Sequence, residues 1–425
     1  MRLLIVTPTY EPAWRFGGVV ASNSTLAREI VKLGIPTTVY TTNTSGEREP
    51  LDVPVDEPVG RGGVEVFYFP SAFGPQGNFY SRGLSRRLWE TVREFDVVYV
   101  VALWQWIGIE AARVCHRMDV PMIVAIKGGF SARLRKKSCL KKELFRILFL
   151  KKALQRATAI HLTNEGERAD AGTWLDGLPL FYCPNAVDPE RYYARPEQGR
   201  GFRLAWNIPP DAPVVVSVGR PDWMKGIDLL IRALAEAKRW YLVFAGDHAS
   251  GKASKWKRLA QRLGVADRVI WAGFLSGEGL LAALSAADLF ALVSENENFG
   301  MAVVEAMMCG LPVMVSRGVG VWHDIQDQWF TITVDRQVDS VVAAMAKFEA
   351  GHLRSAADGG SIRRFAIDRY SPPTVGRQFI TQVGRFVPTL TLPQPLVEPD
   401  PTQMAQPAGC PPQSRVLQRI EPGAT

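Results

Sequence analysis

Histidine and cysteine are scarce here, five of each in 425 residues. Cys115, Cys139, Cys183, Cys309 and Cys410 are odd in number and show no C-x-x-C spacing. That pattern argues against a structural zinc site or a disulfide framework and predicts a reduced, cytoplasmic protein. His116, His161, His323 and His352 have no ligand spacing and are expected to be structural. H-E-x-x-H is absent and no D-x-D closes a predicted strand, so no metal is expected. G-x-G-x-x-G is also absent, which leaves a nicotinamide cofactor unsupported. No run of eighteen apolar residues occurs, so no transmembrane span is predicted. The opening "MRLLIVTPTY" carries one charge and a short apolar run before polar residues, the pattern of a first strand rather than a signal peptide.

Negative charge is missing from one stretch in particular. From Arg133 to Arg156, "RLRKKSCLKKELFRILFLKKALQR", ten Lys or Arg face Glu143 alone, while the whole chain carries a formal +8. The rest of the chain is therefore close to neutral, and the protein has one basic patch. Within it Leu140, Leu144, Phe145, Leu148 and Phe149 recur at helical spacing, which predicts a basic amphipathic helix. Three readings stay open. The charges form a solvated face on a core-packed helix, or Arg135, Lys136, Lys137, Lys141, Lys142, Lys151 and Lys152 meet an anionic membrane surface, or they bind nucleic acid. Nucleic acid is the least favoured partner.

What the chain has is apolar strands in regular alternation with helical patterns. In the first half the strands are "RLLIVTP", "TTVYTT", "VEVFYF", "DVVYVVAL", "PMIVAI", "TAIHLT" and "LFYCP". After residue 210 the pattern restarts with "PVVVSVG", "WYLVFAG", "RVIWAGF", "ADLFALVS", "LPVMVS" and "WFTITV". Near-continuous apolar strands with helical crossovers mean parallel sheets covered on both faces. The expected architecture is α/β: two doubly wound, Rossmann-like domains facing a cleft. Boundaries are expected at 1–187, 188–365 and 366–386, the last a helix packing back on the first domain. Residues 387–425 are Pro-rich and lack periodicity, which predicts a disordered tail.

Open parallel sheets bind ligands beyond the carboxyl ends of their strands. In the loop after the first strand, Gly17 and Gly18 precede a helix; they suit either a tight turn or the close approach of a phosphate. In "VGRPDWMKGIDLLIRAL", Arg220 and Lys225 place two cations where a diphosphate could be held. In "SENENFGMAVVEAMMCG", Glu297 precedes a helix that begins near Gly300, and Glu305 falls on the stripe of Met301, Val304 and Met308. A carboxylate in so apolar a segment needs a partner.

"GRPDWMKGIDLLIRAL", "PNAVD" at 184–188 and "ENFGMAVVEAM" at 297–307 resemble, in order and spacing, the motifs of the retaining GT-B glycosyltransferases, family four. The resemblance runs from Arg2 to about Phe386. It implies that Arg220 and Lys225 hold the diphosphate of a nucleoside diphosphate sugar. It implies that Glu305 takes the ribose hydroxyls, and that Glu297 takes sugar hydroxyls beside the amides of Phe299 and Gly300. Gly18 would let the first loop approach the diphosphate. The donor is a co-substrate, and no other cofactor is implied. The acceptor would be a hydroxyl of a glycan or of a lipid-linked molecule at the inner face of the cell membrane, in polysaccharide or lipopolysaccharide synthesis. Two features depart from the family. Lys127, in "AIKGGFSARL", stands where a donor-touching histidine is usual, and "GDHAS" puts His248 in place of a glycine. The substitution at Lys127 leaves open a donor-binding partner subunit of low activity.

Overall fold

The computed structural model describes residues 2–46, 49–71, 79–101, 104–130, 145–246, 253–351 and 359–389. Arg135, Lys136, Lys137, Lys141, Lys142, His248 and the tail beyond 389 lie outside them.

Two parallel sheets account for every strand read from the sequence. The first has the order β3-β4-β2-β1-β5-β6-β7-β8. Its strands are β1 (Leu3–Val6), β2 (Thr37–Thr42), β3 (Pro58–Arg61), β4 (Val64–Phe69), β5 (Val97–Val101), β6 (Met122–Ala125), β7 (Ala159–Leu162) and β8 (Leu180–Tyr182). The second, in the order β11-β10-β9-β12-β13-β14, comprises β9 (Val214–Val218), β10 (Tyr241–Ala245), β11 (Val269–Gly273), β12 (Leu289–Leu292), β13 (Val313–Ser316) and β14 (Thr331–Val334). Strand β3 was not foreseen. It pairs antiparallel with β4 as an edge hairpin through Gly62 and Gly63, both at positive φ. Its residues alternate between exposed and half-buried, so it lacks the apolar run that marks the other strands.

The strands are apolar throughout because helices cover both faces. Along β1, Leu4 and Val6 pack with the helices Arg82–Thr91 and Trp106–Met118, while Leu3 and Ile5 pack with Gly18–Lys32 and Pro372–Gly384. Along β9, Val214 and Val216 face the helix Met301–Met308, and Val215 faces Ile227–Glu236. In each sheet the winding direction reverses once, between β1 and β5 and between β9 and β12. A crevice opens at such a switch point, outside the carboxyl ends of the strands.

The end of the chain corrects two expected boundaries. The helix expected over 366–386 is broken at Ser371, because Pro372 cannot continue the preceding helix. Gly359–Tyr370 places Ile362, Ala366 and Tyr370 in the core of the second domain. Pro372–Gly384 returns to the first domain, where Val375, Phe379, Ile380 and Val383 join its core. Val387, assigned to the tail, is buried in that same core. The chain thus crosses between domains twice, and the crossings touch where the Val187 amide donates to the Tyr370 carbonyl at 2.8 Å.

Candidate functional site

The loops flanking the second switch point interlock. After β9, Asp222 Oδ1 accepts from the Met224 amide and caps the turn Trp223–Lys225. Gly226 then turns the chain into the helix Ile227–Glu236 at φ 68°. A Cβ there would lie 2.4 Å from the Val293 carbonyl, so only glycine lets the two loops close up. The Glu295 amide donates to the Met224 carbonyl at 2.8 Å. The consequence is an ion pair between Lys225 Nζ and Glu297 Oε2, at about one-fifth and one-quarter side-chain exposure. Arg220 stands exposed at the rim, with no ion pair among the described residues.

Glu297 is held by its backbone, which bridges Val319. Its amide donates to Gly318 O at 2.8 Å and its carbonyl accepts from Gly320 at 2.9 Å. Phe299 is buried edge-on to Tyr370 and acts as the loop's anchor. Gly300 sits at φ 94° with Val319 2.7 Å from where a Cβ would be, and opens the helix Met301–Met308. Gly18 begins its own helix directly opposite: a Cβ on it would reach 3.2 Å from Met301 Cγ. Two helix N-termini, with free first-turn amides and positive dipole ends, therefore converge on one gap beside Lys225. Gly17 precedes the first of them at φ 67°.

Glu305 lies on the second of these helices, half-buried beneath the gap. Burial pushes its carboxyl up to about 7, against which the Tyr192 hydroxyl donates a hydrogen bond. Tyr192 is itself held at its backbone. The Arg363 guanidinium gathers the carbonyls of Pro189, Tyr192 and Met308. Cys309 also faces Glu305, and Arg363 faces Cys309.

The structure thus brings together Gly17, Gly18, Lys225, Glu297, Phe299 and Gly300, with Arg220 earlier in the loop of Lys225 and Glu305 one turn along the helix Met301–Met308. The loop of Lys127 abuts them, since a Cβ on Gly128 would lie 2.9 Å from Asn298 Oδ1, but its ammonium has another partner. Lys127 Nζ donates to Asn185 Oδ1 at 2.5 Å, at the crossing between domains. Burial lowers its ammonium to about 8, while the neighbouring Glu167 carboxylate favours its charge. In this arrangement the side chain of Lys127, expected at the donor, braces its own loop against Asn185. His161 is structural: Nε2 faces the Cys183 carbonyl and must donate, so Nδ1 accepts from Tyr99, both at 2.8 Å. Burial holds it neutral, with a pKa of about 3. Among the described residues no His, Cys, Asp and Glu side chains cluster as a metal set. No described helix is long and apolar enough to cross a membrane.

Of the basic segment, Lys151 and Lys152 are described and exposed. Arg146–Leu150 winds as a π-helix into the short helix Lys151–Gln155, leaving Leu148 and Phe149 50% and 38% exposed beside those lysines. Trp104, Trp106 and Phe145 form the aromatic base under Phe149.

Residues 17–179 match the family model described as a glycosyl transferase 4-like domain, and residues 202–358 match glycosyl transferases group 1. The chain belongs to the group 1 glycosyltransferases. This transferase is 27% identical over 395 residues to a GDP-mannose-dependent alpha-(1-6)-phosphatidylinositol monomannoside mannosyltransferase of Mycolicibacterium smegmatis, covering 88% of this chain and 96% of the relative. Its fold is shared with a sucrose-phosphate synthase from Thermosynechococcus elongatus, at TM-score 0.70, 18% identity, and 92% and 100% coverage. It is shared as well with Anabaena HepE, solved with UDP and glucose, at TM-score 0.68, 17% identity, and 91% and 100% coverage. Two facing parallel-sheet domains are the GT-B architecture. Tyr192, Arg363, Asn164 and Asn298 were missed by the transferase's sequence pattern, since each acts through a partner remote in the chain.

Proposed function

We propose that this transferase moves a hexose from a nucleoside diphosphate sugar to a hydroxyl of a glycan or lipid-linked acceptor, with retention of anomeric configuration and without a metal. The observation that carries the reading is the Lys225–Glu297 pair at the gap where two helix N-termini meet. A diphosphate seated there takes Lys225 and the rim cation Arg220, and frees Glu297 for sugar hydroxyls. Glu305, once ionised, accepts both ribose hydroxyl protons. The same charges and dipoles stabilise the leaving diphosphate, the part a metal plays elsewhere. In the step, the acceptor oxygen bonds to the anomeric carbon as the bond to the phosphate oxygen breaks. The acceptor's proton passes to that phosphate oxygen on the same face.

Exposed Leu148 and Phe149 beside Lys151 and Lys152 support attachment to an anionic membrane surface, where apolar tips enter the headgroup layer and cations meet phosphates. Together with the phosphatidylinositol-linked acceptor in the relative's name, that favours a lipid-linked acceptor and a place in cell-surface glycan synthesis. The test is a thermal-shift screen of UDP-, GDP- and ADP-hexoses, since binding to the folded state raises the melting temperature. Turnover of the selected donor with EDTA present, and product of unchanged anomeric configuration, are the expected results. An inverted product, or activity lost to EDTA and restored by magnesium, overturns the corresponding part of the proposal.

A further inference from the structure

Asn164 belongs to the first domain and is only 4% exposed, yet its amide nitrogen donates to the carbonyl of Asn298, in the second domain's glutamate loop, at 2.6 Å. Both amide hydrogens and the oxygen of the side chain are engaged. The second amide hydrogen goes to Thr163 Oγ1 at 3.0 Å, and Oδ1 accepts from the Glu167 amide at 3.2 Å, capping the turn that follows. Behind it the buried Glu167 carboxylate gathers the Thr163 amide and hydroxyl, and the Gly128 amide from the loop that carries Lys127. Three glycines clear the space around this contact. A Cβ on Gly320 would lie 2.0 Å from Asn298 O and 2.6 Å from Asn164 Nδ2. One on Gly166 would lie 2.9 Å from Asn164 Oδ1, and one on Gly128 would lie 2.9 Å from Asn298 Oδ1. A second, weaker bridge runs alongside, from Asn296 Nδ2 to Asp170 Oδ2 at 3.2 Å.

The geometry points to Asn164 as the positioning residue that latches the first domain onto the loop Glu295–Gly300 and holds the cleft closed around Glu297. The carbonyl it holds lies between Glu297 and Phe299 and packs against Gly320, so the latch fixes the glutamate's backbone beside the hydrogen bond that Gly320 makes to it. Glu167 acts one step behind, by tying the Lys127–Gly128 loop to the same turn. Closure of this kind excludes water from the reacting centre and completes it.

Replacing Asn164 by Ser separates the two jobs of the side chain. A serine hydroxyl caps the Glu167 amide about as well, but is too short to reach Asn298. Asn164→Ala removes both functions. Small-angle scattering and amide exchange over residues 295–300 are measured on the full chain, free and with millimolar UDP or GDP. The expected result for Asn164→Ser is a melting temperature near that of the wild type, a larger radius of gyration and faster exchange of that loop. Donor turnover should fall about tenfold or more, the scale of losing one buried hydrogen bond, while the UDP or GDP dissociation constant stays within about twofold. Scattering and exchange identical to the wild type overturn the latch. So does a melting temperature as low as that of Asn164→Ala, which would confine the residue to its local turn. Turnover and nucleotide affinity rest on the transferase reading; melting temperature, scattering and exchange of the free chain need no donor and fail independently of it.

Discussion

Replacing Tyr192 by Phe removes one hydroxyl from beneath the cleft and leaves the backbone hold of Arg363 in place. That hydroxyl donates to Glu305, whose carboxyl burial raises to about 7 even with this hydrogen bond opposing it. A hydrogen bond to a charged group is worth about 1.5–3 kcal/mol, and one pKa unit corresponds to about 1.36 kcal/mol. Loss of the hydroxyl therefore moves Glu305 up by about one to two units. Only the ionised form accepts two ribose hydroxyls, so nucleotide affinity is present at high pH and is lost as pH falls through the Glu305 value. At pH 7.5 the ionised fraction drops from about three-quarters to between about a quarter and a few per cent, an affinity loss of roughly 3- to 25-fold. The groups facing Glu305 and its partner are Tyr192, Cys309, Arg191 and Arg363. None of them other than Tyr192 is altered by the substitution. Calorimetric titration of UDP and GDP between pH 6 and about 9.5 reads this directly. The variant's acid limb should shift to higher pH, with the two proteins converging at the alkaline end. Superimposed limbs, or a constant loss at every pH, would refute the reasoning.

Lys225→Ala should lower turnover by about 10²-fold or more, the scale of removing one charged donor from a developing negative charge; rates are read with the donor the thermal screen selects. Glu305→Gln should instead mainly raise the donor dissociation constant. Chains ending at 389 and at 386 should differ in melting temperature, because only the shorter one loses Val387 from the core, a burial worth about 1.5–3 kcal/mol. Equal melting temperatures would remove Val387 from the fold's account. Wild-type protein should bind anionic vesicles at low salt, and replacing Lys136, Lys137, Lys141 and Lys142 by Gln should remove about 4 kcal/mol of attraction. Vesicle cosedimentation that the four substitutions leave unchanged ends the membrane reading.

The strands were legible because burial on both faces makes them apolar without interruption, and such runs need no knowledge of the partner strand. The hairpin strand β3 was not, because its pairing is with one neighbour only and Pro58, Gly60 and Arg61 give it no apolar signature. Its one local sign was the pair Gly62 and Gly63, the turn residues of a two-residue hairpin. At the site, Arg220 and Lys225, or Glu297 and Glu305, stand close in the chain, and their spacing carries the pattern. Asn164 and Asn298 are 134 residues apart, and Arg363 lies 171 from the Tyr192 carbonyl it holds. No periodicity or spacing encodes such pairs; the docking of two domains creates the first, and the folding of the second domain on itself creates the other. The same holds for Lys127, whose place in the chain gives no sign of Asn185 and Glu167, the two groups that its ammonium meets.

The return of the last helix to the first domain governs how the chain is made. Leu3, Ile5, Val39 and Tyr99 emerge from the ribosome long before Phe379, Ile380 and Val383, yet all share one core. During synthesis the first domain waits, with one face of its sheet only partly covered, until nearly four hundred residues have been joined. The second domain completes its own core at Tyr370, just before that helix is added. The order of completion is therefore the reverse of the order of synthesis, and the half that begins first closes last.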